Sequence, residues 1–148
     1  MPLVLAGATS GSTTLTPVDA VTATITLPSV TGTLVTGVSS AYTPTLTAVT
    51  NVTGSTAYSC VYCRVGNTVM VFGQADINVT ATGAVNLRVS LPIASNISGT
   101  NLYGSGTSGY YNAILISPDA AADAANIGFT ATTSGNQGST WSFAYTVV

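Results

Sequence analysis

Two short patterns in this 148-residue chain have a spacing that chemistry can use. Cys60-Val61-Tyr62-Cys63 carries the C-x-x-C spacing of half a zinc site or of a redox pair. Asp119 and Asp123 stand four apart, so on a helical turn their carboxylates would converge on a cation or flank a glycosidic bond. Neither pattern has the partners its chemistry requires. A structural zinc site takes four ligands, and the chain has two Cys and no His. On a strand, residues three apart face opposite sides with Cα atoms about 10 Å apart, beyond disulfide reach. The cysteines therefore read as two independent buried thiols that pack as small hydrophobes. Ser117-Pro118-Asp119 reads as a helix start, with Ser as cap and Pro at the first helical position. The alanines to Ala125 allow one or two turns, whose dipole accounts for both acids. Nucleophilic catalysis needs a base beside the nucleophile, and the chain has neither His nor Lys. We expect no enzymatic activity, no cofactor and no metal.

The elements that would position any site are built from an unusual palette. Only Arg64, Arg88, Asp19, Asp76, Asp119 and Asp123 are charged, 4% of the chain, where an ordinary domain carries about a quarter. Ser and Thr fill 42 positions instead. Such a surface hydrates well but repels copies of itself weakly, which suits a protein packed in an assembly. Net charge is −2, with no basic patch to neutralise phosphates, so no nucleic-acid partner is expected. No apolar run approaches the roughly 18 residues of a membrane span. The opening Met1–Gly7 has no basic residue and only a brief apolar run, unlike a signal peptide, so the expectation is no Sec export and no membrane partner. Three N-x-S/T triplets, at Asn51, Asn78 and Asn96, are what nine Asn in so Ser/Thr-rich a chain give by chance.

Residues 1–40 are rich in Thr, Gly and Val. Val21, Ala23, Ile25 and Leu27 alternate with Thr, giving a strand with one apolar face that Pro28 ends. Leu34 and Val35 form a second small apolar group. A section with so little apolar area cannot build its own core and needs a partner, so it reads as an extended β-arm for attachment or strand exchange. From Ala41 the composition changes, and all seven Tyr, all three Phe, the Trp and both Cys follow. Strand patterns run over 45–50, 57–65, 68–79, 85–91, 110–117, 126–132 and 141–147, with 95–108 reading as loop. Gly66-Asn67 marks a hairpin. A three-residue loop, Val65–Asn67, would group Val61, Cys63, Val69, Val71, Ala75 and Ile77 on one face and is preferred. A two-residue loop would mix aliphatic and aromatic residues on both faces. Eight or so short strands at ten-residue spacing predict an antiparallel β-sandwich or jelly-roll-like domain over 41–148.

In so uncharged a chain, Arg64 and Arg88 are candidate interface anchors, paired with Asp76 or with an Asp of a neighbouring copy. Tyr103, Tyr110, Tyr111 and Trp141 are aromatics able to stack on sugar rings, with core or interface packing as the commoner use.

Gly7-Ala8-Thr9-Ser10-Gly11-Ser12-Thr13-Thr14-Leu15-Thr16-Pro17, followed by Thr24-Ile25-Thr26-Leu27-Pro28-Ser29-Val30-Thr31-Gly32-Thr33-Leu34, resembles the N-terminal segment of many tailed-bacteriophage structural proteins. There it precedes fibre shafts or decoration domains. Tyr42-Thr43-Pro44-Thr45-Leu46 and Tyr62-Cys63-Arg64-Val65-Gly66-Asn67-Thr68-Val69 resemble the opening of a β-domain of phage fibres and head proteins. Phe129-Thr130-Ala131 and Trp141-Ser142-Phe143-Ala144-Tyr145 are similar to that domain's closing strands. The resemblance implies a homotrimeric virion protein, made in the host cytoplasm, that is structural or adhesive. The favoured expectation is a capsid decoration (cement) or head-fibre protein bound to the major capsid protein, since the chain has no room for a long shaft. The alternative is a short tail fibre or receptor-binding module, with Tyr103, Tyr110 and Tyr111 contacting a host glycan.

Overall fold

Alternation of apolar and small polar residues makes the longest strands. In Thr68–Val79, Val69, Val71, Ala75, Ile77 and Val79 share one face and are buried, while Met70, Phe72, Gln74 and Asn78 face outwards. The computed structural model describes residues 3–6, 12–15 and 38–148. The alternating stretch Val21, Ala23, Ile25 and Leu27, with Leu34 and Val35, lies outside the described residues. The chain divides into two compact units, Met1–Leu34 and Val35–Val148. In the first, β1 (Leu3–Ala6) pairs antiparallel with β2 (Ser12–Leu15).

The second unit holds β3 (Val38–Tyr42), β4 (Leu46–Thr50), β5 (Val52–Ala57), β6 (Cys60–Val65), β7 (Thr68–Val79), β8 (Gly83–Ser90), β9 (Leu102–Ser108), β10 (Ala113–Asp119), β11 (Ala124–Ala131) and β12 (Gly135–Thr146). All ten join one antiparallel sheet in the order β3-β6-β7-β12-β9-β10-β11-β8-β4, with β5 on the outer edge of β7 beyond β6. The all-β expectation holds, in the form of a curled, half-barrel sheet. β12 is its spine, paired with β7 over its whole length from Gly135 opposite Val79 to Thr146 opposite Thr68.

The curl has a local cause at Asn51. β4 pairs with β8, from Leu46 opposite Val89 to Thr50 opposite Asn86, and β5 pairs with β7, from Val52 opposite Val79 to Ala57 opposite Ala75, both antiparallel. Both strands bend together at the point where Asn51 faces Thr80–Thr82, and the register shifts on either side of Asn51. β7 and β8 are separate strands joined by bends at Thr80–Thr82, and the β4–β5 segment follows them through the same corner. Asn51 sits at φ 57, and its side chain accepts from Ala81 N (3.0 Å) and donates to Ala81 O (2.7 Å).

The core fills the concave side. Leu87, Leu102, Ile77, Ile116, Ile127, Trp141, Phe143 and Tyr145 are all buried there. Each contributes about 1.5–3 kcal/mol relative to leaving it in water. The aromatic residues of β12 need space on the neighbouring strands, and glycines provide it. Gly106 and Gly73 lie opposite Trp141 on its two sides, and Gly104 lies opposite Phe143.

Tyr145 ties the core to the loop after β8. Its hydroxyl accepts from Ile93 N (3.1 Å) and donates to Ile93 O (2.7 Å). Burial pushes its pKa up to about 12, and burial also raises that of Tyr42. Both groups must lose a proton to ionise, and both folded values lie above the unfolded value near 10. Their contribution is therefore complete below pH 10 and is lost as pH rises through the folded values. We expect the thermal midpoint to be flat from pH 7 to 9 and to fall between pH 10 and 12. Tyr145→Phe should lower the midpoint at pH 7 and flatten the alkaline decline, as read by circular dichroism melts.

Three local expectations are corrected. The β6–β7 turn has two residues, not three: Val65 pairs with Thr68, and Gly66 (φ 60) occupies the first central position, where a type II′ turn needs positive φ. Ser117–Ala125 is not helical. Ser117, Pro118 and Asp119 end β10, and a turn leads to β11. Residues 95–108, expected as loop, contain β9, whose glycines mark close approach to β12. A short strand, β5, also precedes β6.

Candidate assembly face

The sequence's two chemistry-like patterns resolve into structure-holding groups. Cys60 faces inwards, buried, and its thiol donates to Tyr58 O (3.4 Å). Burial raises its pKa, the direction opposite to thiolate activation. Cys63 is half-buried and pairs across the sheet with Met70, so the two free thiols lie on opposite faces, as the strand geometry requires. Asp119 is bonded by Arg88 Nε, and that guanidinium holds its carboxyl below the usual range. Asp123, at φ 48 in the β10–β11 turn, accepts from Ser95 N and Ile97 N, each at 3.0 Å, and so pins the loop after β8. Among the described residues no group of three or more His, Cys, Asp or Glu converges on a metal-sized site.

The candidate interface residues are placed apart. Arg88 is engaged by Asp119 within the chain. Asp76 accepts instead from the Tyr58 hydroxyl (2.8 Å), which raises the pKa of that phenol. Arg64 is exposed at the end of β6, with Nε on Gly66 O (2.7 Å), and makes no ion pair among the described residues. The three tyrosines named for glycan contact are separated too. Tyr103 stands at the start of β9, its ring exposed and its hydroxyl on Gly99 O (3.1 Å). Tyr110 and Tyr111 occupy the turn at the other end of that strand, about 20 Å away by strand rise.

What the fold does bring together was missed in the sequence. On the convex face, cross-strand pairing lines up Val61 (β6), Phe72 (β7), Ser142 (β12), Ser105 (β9) and Leu115 (β10) in one row. The adjacent row is Cys63, Met70, Ala144 and Tyr103. Leu115 is 67% exposed, Tyr103 58% and Phe72 57%, with Met70 and Val61 also open. Between the Met70–Phe72 ridge and Tyr103 runs a shallow groove of about 250 Å³, floored by Ser142 and Ala144. Neither row contains a charge; Asp76 lies two outward positions along β7 from Phe72, and Asp119, paired with Arg88, two outward positions along β10 from Leu115. The signal for this face was present in the two-residue reading of the hairpin. That register puts Val61 opposite Phe72 and leaves aliphatic and aromatic residues together on the outer face.

No protein-family model matches the chain, and no curated protein or solved structure is significantly similar to it. The likeness to phage structural proteins therefore stands on the short motifs alone, and function is argued from the face itself.

Proposed function

We propose that this chain is a structural virion protein of a tailed phage, a capsid decoration (cement) or head-fibre protein that acts as a homotrimer on the major capsid protein. The observation that carries the reading is the pair of uncharged, partly apolar rows on the convex face, Val61–Phe72–Leu115 and Met70–Tyr103, left open to solvent. A face of this kind loses little by desolvation and gains about 25 cal/mol for each Å² of apolar area it buries. A curled antiparallel sheet with a buried core supplies the rigid body such a protein needs. The segment that precedes β3 acts as the attaching arm, whose Thr/Val alternation over Val21–Leu27 suits strand addition to an exposed sheet edge. Cement function is then mechanical: bound copies bridge joints between capsid subunits and oppose internal pressure.

The groove beside Tyr103 favours a second reading, a short tail fibre or receptor-binding module. An exposed aromatic ring above Ser142 and Ser105 offers stacking and hydroxyl partners to a sugar. Copy number separates the two. Quantitative mass spectrometry of purified particles should give a ratio to the major capsid protein near one to one. A handful of copies in a multiple of three would move the fibre reading to first place, and absence from the particle would end both.

A further inference from the structure

We infer that the convex rows Val61–Phe72–Leu115 and Met70–Tyr103 form the contact between copies of this chain, the Leu115 side chain of one copy seating in the Phe72–Tyr103 groove of the next. The inference rests on the proposed homotrimer and names the surface that makes it.

Three observations select a second copy as the occupant. The first is charge. None of the charged side chains in the described residues belongs to either row, and a partner recruited by complementary charge would find nothing to pair with there. Uncharged rows lose little by desolvation against another uncharged surface, and the same rows on a second copy supply one. The second is area. Val61, Met70, Phe72, Tyr103 and Leu115 leave on the order of 500 Å² open, at the upper end for a lone monomer and more than half the roughly 800 Å² per partner of a stable interface. The small side chains between them, Ser105, Ser142 and Ala144, extend the patch without projecting. The third is shape. Leu115 is the most exposed side chain of the two rows, flanked by Ser105 and Gly128, whereas the groove lies on the β7–β12–β9 side of the same face. Knob and hole occupy different parts of one surface; of the two ways copies can then meet, reciprocal or head-to-tail, the proposed homotrimer requires the head-to-tail one, which closes into a ring when the rotation matches three copies.

The test uses the full chain and its variants Phe72→Asp and Leu115→Asp, with Thr130→Asp as the control on exposed β11 outside the rows. Sedimentation over a concentration series reads the dissociation midpoint, and circular dichroism confirms folding. Each variant should raise that midpoint at least a hundredfold with an unchanged melt, and Thr130→Asp should leave it alone. Alkylation of the unmodified chain gives a reading that needs no substitution. Cys63 lies in the contact row, so its labelling should be at least tenfold slower at assembling concentrations than after dilution, with Cys60 protected in both. An oligomer indifferent to both substitutions, with Cys63 equally reactive at both concentrations, overturns the face but leaves the virion reading standing. A chain that is monomeric at every concentration overturns the inference outright. Absence of the protein from particles would instead sink the virion reading and leave the face intact.

Discussion

Gly106→Val should abolish cooperative folding. A β-carbon at position 106 would stand 2.2 Å from the carbonyl oxygen of Thr140 and 2.9 Å from Cα of Trp141, both backbone atoms of the paired strand. Neither can give way unless β9 separates from β12, which would break the ladder from Leu102–Tyr145 to Ser108–Ser139. Gly104 is equally confined, with Ser142 O at 2.2 Å and Phe143 Cβ at 2.4 Å. Overpacking of a core commonly costs about 1–3 kcal/mol, and a clash with backbone in the middle of a sheet exceeds that range. Against a total stability of about 5–15 kcal/mol, the loss removes most or all of the folded population. Circular dichroism melts of Gly106→Val and Gly104→Val should show no cooperative transition. Gly99→Ala, at a position with open space around it, should stay within about 0.5 kcal/mol of the parent. A cooperative melt for Gly106→Val would mean that β9 does not lie against β12.

Asn51→Ala should cost about 3 kcal/mol, because one residue supplies both the conformation and the bonds of the corner. At φ 57 the backbone is left-handed, which costs an alanine roughly 1–2 kcal/mol. The side-chain amide also bonds both backbone groups of Ala81, and each bond contributes about 0.5–1.5 kcal/mol. Asn51→Gly separates the two parts, since glycine takes positive φ freely but has no amide. Urea titrations should place it between the parent and Asn51→Ala, about 1–2 kcal/mol below the parent. If both variants matched the parent, the bend of β4–β5 over β7–β8 would not depend on Asn51.

These two positions also mark where the sequence was readable. Strand Thr68–Val79 was legible to its ends, because Val and Ile alternate with outward residues over a length no turn interrupts. β8 was visible for the same reason. β9 was not, because Gly104 and Gly106 carry the composition of a loop, and what excludes their side chains is Trp141 and Phe143 on a strand over thirty residues away. The Ser117–Ala125 stretch failed in the opposite sense. Its cap, proline and alanines satisfy local helix rules, but pairing with β11 and the Arg88–Asp119 contact take Ser117–Asp119 into the sheet. Asp119 and Asp123 then hold chain segments remote in sequence, which no local spacing discloses. The convex face depended on a single turn residue: counting Val65 in the strand rather than in the loop inverts one strand against its neighbour and brings Val61 beside Phe72. Composition carried a different kind of expectation. A surface of Ser and Thr with six charges predicted assembly before any strand was placed.

That prediction is tested most directly by the solution mass of the full chain, measured by native mass spectrometry at micromolar concentration in moderate salt. The account predicts a species of three chains, which dissociates on dilution. A single chain of 14.7 kDa at every concentration would contradict it.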